Sequence, residues 1–240
     1  MCNIIRAELL GFDKRVVKNM VTYHDEIQRL VDTALAELSQ AHQHGKLADA
    51  PVANNHFLIR WVTNALKQQR FHRCVGNDLT SWQKAGRSQG NNAGLERIFR
   101  QISAYYHSFF SVDNQSVQEI TDQQIEQFLD EMTAEGWDIS TAEPLVGCGK
   151  VQLFTESPNS LALCAEQCES CFDGAVLVRP MSLFVRGNHA QFIDKAWRAG
   201  FMVHKQTNYK SNVKYHGEYL IYPGNRGEQL AEIPLGFQPG

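Results

Sequence analysis

Cys148, Cys164, Cys168 and Cys171 place four of the chain's six cysteines within 24 residues. Cysteine is scarce in soluble proteins, and thiolates at this density are metal ligands by default. The spacing Cys164-x3-Cys168-x2-Cys171 offers one anchor and Cys148-Gly149 a second, so the leading expectation is a structural zinc held by four sulfurs. Such a site is closed: with no open position for water or substrate, the metal would support folding rather than catalysis. His189, His204 or His216 could replace one thiolate. An iron–sulfur cluster is the second reading. The three-cysteine spacing matches that of radical-SAM enzymes, but Ser170 stands where those enzymes carry an aromatic, and about 70 residues downstream are too few for their barrel. Free thiols packed as small hydrophobes are the third.

A second set of residues could bind anions. From His56 to Phe110 there are eight basic and two acidic residues, and from Val112 to Glu143 nine acidic and no basic ones. The formal net charge of −3 hides this separation, which composition alone would read as unsuited to nucleic acid. Within the basic stretch, Lys67, Arg70 and Arg73 surround Phe71, and Lys84, Arg87, Ser88 and Gln89 lead into a Gly- and Asn-rich segment. If that segment is a loop ahead of a helix starting near Asn91 or Asn92, its donors and the helix N-terminus make a phosphate site, extended by Arg97 and Arg100. The opposing expectation is that these cations are an ordinary solvated face, or pair internally with the acidic run. The acidic run could equally dock a basic partner.

No His-Glu-x-x-His, Gly-x-Ser-x-Gly or phosphate-loop pattern occurs, and of the nine histidines His24, His42, His44 and His56 fall beside helix ends and His107 among aromatics. Nothing in the sequence supports an enzyme.

The elements that position these residues follow from periodicity. Ile27, Leu30, Val31, Ala34, Leu35 and Leu38 form one helical stripe ending at Gly45. Phe57, Leu58, Trp61, Val62, Ala65 and Leu66 form a second, with Asn54 as expected N-cap. A short helix is expected over 79–85, a strong one from Leu95 to Phe109, and one opened by a Thr121/Gln124 capping box. After Gly147 the period shortens: strands are expected over 150–154, 175–178, 182–185, 201–203 and 213–221, with one helix capped by Asn188. The fold class is therefore α+β, a helical bundle followed by a small mixed sheet domain. The expected organisation is an extension over 1–19, a helical domain over 20–143 and a Cys-containing α+β domain over 144–240.

From Pro51-Val52-Ala53-Asn54-Asn55-His56-Phe57 through Trp82-Gln83-Lys84-Ala85-Gly86-Arg87-Ser88-Gln89-Gly90-Asn91-Asn92, the chain resembles an uncharacterised bacterial family of unknown function. The resemblance runs from about Met20 to the C-terminus. It implies a cytosolic bacterial protein and carries no activity, cofactor or site residues. No run of about 18 apolar residues is present, so no membrane span is expected, and the N-terminus lacks the apolar core of a secretory signal. The expected function is that of a cytoplasmic, zinc-stabilised protein contacting nucleic acid or another polyanion through its basic helical surface. A protein–protein adaptor or regulatory partner without catalytic activity is the alternative.

Overall fold

The computed structural model describes residues 21–110, 118–142, 145–146, 149–208 and 210–238. Helix α1 (Tyr23–Gln43) opens on Thr22, whose hydroxyl accepts from the Asp25 N–H, and Asp25 and Glu26 complement the positive helix end. Its buried stripe is the expected one, with Ile27, Leu30, Val31, Ala34 and Leu38 removed from solvent. Helix α2 (Pro51–Lys67) starts three residues before the expected Asn54 cap, with Pro51 in the first turn. Asn54 and Asn55 are instead buried and bonded to distant partners. Asn54 meets His42, Asp49 and Glu96, and Asn55 accepts from the Leu95 N–H and donates to the Gly90 carbonyl.

Helix α3 (Gly76–Gln89) is twice the expected length and runs through Gly86, followed by a 3-10 turn over Gly90–Ala93. Gly86 sits where α2 comes closest: a Cβ there would lie 2.8 Å from both Ile59 γ-carbons. Its glycine thus serves helix–helix approach and not a loop. Helix α4 (Leu95–Phe109) follows, with Phe99, Ile102, Tyr105 and Tyr106 buried. Helices α1 to α4 enclose the first core.

Helix α5 (Asp122–Ala134) carries the expected reciprocal capping box between Thr121 and Gln124. Its Ile125, Phe128 and Met132 belong to the second core, with the sheet, so the packing boundary falls between α4 and α5. That sheet has five strands, β1 (Asp138–Ala142), β2 (Ser160–Cys164), β5 (Met181–Arg186), β6 (Val203–Thr207) and β7 (Gly217–Ile221), in the order β1-β2-β5-β7-β6. β1 and β2 are parallel and the other pairs antiparallel. The short α6 (Ala165–Ser170) and the β3 (Phe172–Asp173) and β4 (Val176–Leu177) ladder join β2 to β5, and α7 (His189–Arg198) joins β5 to β6.

Alternation assigns the two faces of the sheet. Leu161, Leu163, Leu183, Val185, Tyr219 and Ile221 meet α5 and α7. Ala162, Cys164 and Phe184 on the other face join Leu145 and Val213. The expected 150–154 strand is reduced to one bridge, Val151 to Val213, and the expected 201–203 strand begins only at Val203. β1 and β2 were not among the expected strands. The C-terminal segment closes the molecule: the Glu232 N–H donates to the Val203 carbonyl at the outer edge of β6, while Ala231 and Phe237 enter the helical core.

Candidate functional site

The basic residues divide by partner. Arg70 is bound to Glu37 (2.6 Å) and lies 5.1 Å above the Trp61 ring. Arg100 pairs with Glu96 one turn back (2.9 Å), and Arg97 donates to Gln101. Lys67 and Arg73 flank the α2–α3 connection, and Lys84 and Arg87 lie on α3 with Arg60 on α2. These five are exposed and form no ion pair with any described residue. Nor does any described carboxylate between 118 and 142 pair with a cation of α2 to α4; the ion pair in that stretch is Glu135 with Lys195. Internal neutralisation of the patch is thus not realised among the described residues.

The expected phosphate loop is built differently. Arg87, Ser88 and Gln89 form the last turn of α3, where Ser88 Oγ donates to the Lys84 carbonyl (3.0 Å). This is the electronegative end of a helix. The next α-helix starts at Leu95, and its first N–H is already held by Asn55 Oδ1 at 3.0 Å. Cation exposure, and not a helix N-terminus, is what this surface offers. Beside it, at the end of α2, lies a cavity of about 540 Å³ with Leu66, Phe71 and Leu79 on its walls and Arg73 at its rim.

The described thiols fall into different packing groups. Cys164 packs with the core on one face of the sheet, and Cys168 and Cys171 with the core on the other, yet Cys164 is near enough in space to act electrostatically on both. Cys171 donates to the Pro180 carbonyl (3.3 Å), and Cys164 Sγ accepts from the Leu145 N–H (3.3 Å). Burial pushes the Cys168 and Cys171 thiols up. Burial also acts to raise Cys164, but the amides of Gln167, Val146, Leu145 and Glu166 together hold it below the ordinary thiol range. Among the described residues no three His, Cys, Asp or Glu side chains are grouped to hold a metal. Cys148, the fourth expected ligand, lies outside the described residues, as does the 1–19 extension.

Sequence reasoning missed a buried polar pair. His216 Nδ1–H donates to the Lys214 carbonyl (2.9 Å), which leaves Nε2 to accept from Ser160 Oγ (3.0 Å). This is the geometry of a nucleophile and its base, but Ser160 is 4% and His216 1% exposed. The pair is closed off from solvent and ties the segment before β7 to the start of β2. His24, expected on an exposed helix end, is buried and stacks 5.0 Å from the Phe110 ring.

The model of a family described as a protein of unknown function, DUF2913, matches residues 22–234. The chain belongs to that family. The matched span runs from the Thr22 cap of α1 to Pro234 in the C-terminal segment, and so covers every helix and strand described for this DUF2913 chain. No curated protein and no solved structure matches the chain. Among the described residues no helix is long and apolar enough to cross a membrane.

Proposed function

We propose that this protein binds nucleic acid or another polyanion through the surface of α2 and α3. One observation carries the reading: Arg60, Lys67, Arg73, Lys84 and Arg87 are exposed and without ion pairs among the described residues, and no described carboxylate of the acidic run neutralises them. Keeping several like charges unpaired on one helix pair raises the free energy of the folded state unless an anion offsets it. The Ile59–Gly86 contact holds α2 and α3, which carry Arg60 and Arg87, closely against each other. Arg70 and Arg100 contribute less, since Glu37 and Glu96 already neutralise them.

Zinc is not a premise of this reading, which rests on the α2–α3 surface alone. The test is duplex binding followed by fluorescence anisotropy across a salt series. Affinity should fall steeply with salt, and the double substitution Arg60→Glu, Arg87→Glu should lower it by about tenfold or more. Chelator-treated protein should bind as well as untreated protein. Salt-independent binding, or a double variant with unchanged affinity, would remove the proposal in favour of a protein-docking role.

A further inference from the structure

Two strips of chain meet on the far face of the sheet and push aromatic side chains into solvent. The Val151 N–H donates to the Asn212 carbonyl (2.9 Å), the Lys214 N–H to the Val151 carbonyl (2.8 Å), and Lys150 Nζ to the Ser211 carbonyl (3.0 Å). Val213 is fully buried beneath this bridge. Along the first strip burial alternates, and the outward positions are Lys150, Gln152, Phe154 and Glu156. Phe154 is 92% exposed, an unusual position for the largest purely apolar ring. On the second strip Lys210, Asn212, Lys214 and Tyr215 are exposed, Tyr215 to 64%. The bridge aligns Val151 with Val213, so Gln152 lies beside Lys214, and both aromatics stand within about 10 Å of the bridge along their strips.

Tyr215 is held there against its own preference. Its φ of 65° lies in the left-handed region, which costs a bulky residue about 1–2 kcal/mol. The neighbouring anchors impose it. Buried Ser211 Oγ bonds to the Val213 and His216 carbonyls, and the His216 ring is fixed between Ser160 and the Lys214 carbonyl. With His216 locked inward, the residue before it is turned out. The buried Ser160–His216 pair thus has a positioning task.

We infer that Phe154 and Tyr215, with Lys150, Lys210 and Lys214, form a stacking platform for single-stranded nucleic acid. Exposed rings accept unpaired bases of any sequence, and flanking lysines follow the backbone between them; a duplex, whose bases are already stacked, gives the rings nothing to hold. Glu156 is the one exposed carboxylate on the two strips, against three lysines. The inference deepens the polyanion reading by naming a ligand, and it stands on residues separate from the α2–α3 surface.

The test compares a labelled 20-nucleotide thymidylate strand with a duplex of equal length, both titrated with the full chain at low salt. Phe154→Leu and Tyr215→Gly should each weaken single-strand binding by about 5- to 150-fold and leave duplex binding unchanged, while Phe154→Trp should preserve it. Glycine accepts the left-handed conformation, so Tyr215→Gly should not lower the thermal midpoint and any loss of affinity cannot be a loss of fold. Two results would overturn the platform: wild-type protein that does not bind the strand, or aromatic variants, Phe154→Leu among them, that bind it normally. Loss of duplex binding in Arg60→Glu, Arg87→Glu together with normal strand binding in the aromatic variants would reject the platform and leave the α2–α3 reading standing. The reverse pattern would reject that reading alone.

Discussion

His204 on β6 is 1% exposed; its Nδ1–H is held by the Gln229 carbonyl (2.8 Å), and its Nε2 has no hydrogen-bond partner among the described residues. The ring lies flat against Gly227, where any Cβ would overlap it. Burial pushes its pKa down to about 4 from an ordinary 6.5. The folded state therefore refuses a proton that the unfolded chain accepts. This contribution is fully present above about pH 6.5 and is lost as the pH falls towards 4, to a total of about 3 kcal/mol. Urea unfolding of wild type and His204→Gln at pH 7, 6 and 5 should show the steeper acid loss in wild type. Equal slopes would contradict the assignment. Burial lowers His24, His189 and His216 in the same direction, so some acid sensitivity will survive the substitution.

At the scale of elements, α2 and α3 owe their packing to a residue whose type misleads. Gly86 sits among Gly, Ser, Gln and Asn, a composition that signals a loop, and nothing local shows Ile59 pressing on it. Gly86→Val should cost about 1–3 kcal/mol by overpacking, with part recovered in Gly86→Val, Ile59→Ala because the two sites share one contact. Denaturant midpoints of the four proteins give the coupling, and additive effects would argue against it. Asn54 and Asn55 mislead for the converse reason: an Asn pair ahead of an apolar stripe is a capping signal, yet here both side chains serve partners 5 to 42 residues away. The Thr121/Gln124 box and the Asn188 cap were legible because cap and partner lie within one turn.

The whole molecule is joined by its C-terminal segment. The Ala231 N–H donates to the Tyr106 hydroxyl (3.2 Å), and the Phe237 ring stands edge-on to Tyr105 (5.2 Å) and Trp197 (5.6 Å), thereby linking α4 to α7. Phe237→Ala should cost about 3 kcal/mol and loosen the coupling between the two cores. Helical circular dichroism and tryptophan fluorescence, coincident in wild type, should then report separate transitions. A single coincident transition in the variant would show that the cores are joined elsewhere. By itself the sequence determined the helical stripes, the Thr121 and Asn188 caps, the order of helices before sheet and the separation of charge, since each is written within a few residues or in composition. It also marked the cysteines and the basic stretch as the residues to watch. Tertiary structure alone decided that Cys164 packs in one core while Cys168 and Cys171 pack in another, that no described carboxylate of the acidic run pairs with the α2–α3 cations, and that Phe154 and Tyr215 face solvent. Those outcomes depend on which distant segments pack together, and residue type and spacing carry no record of that.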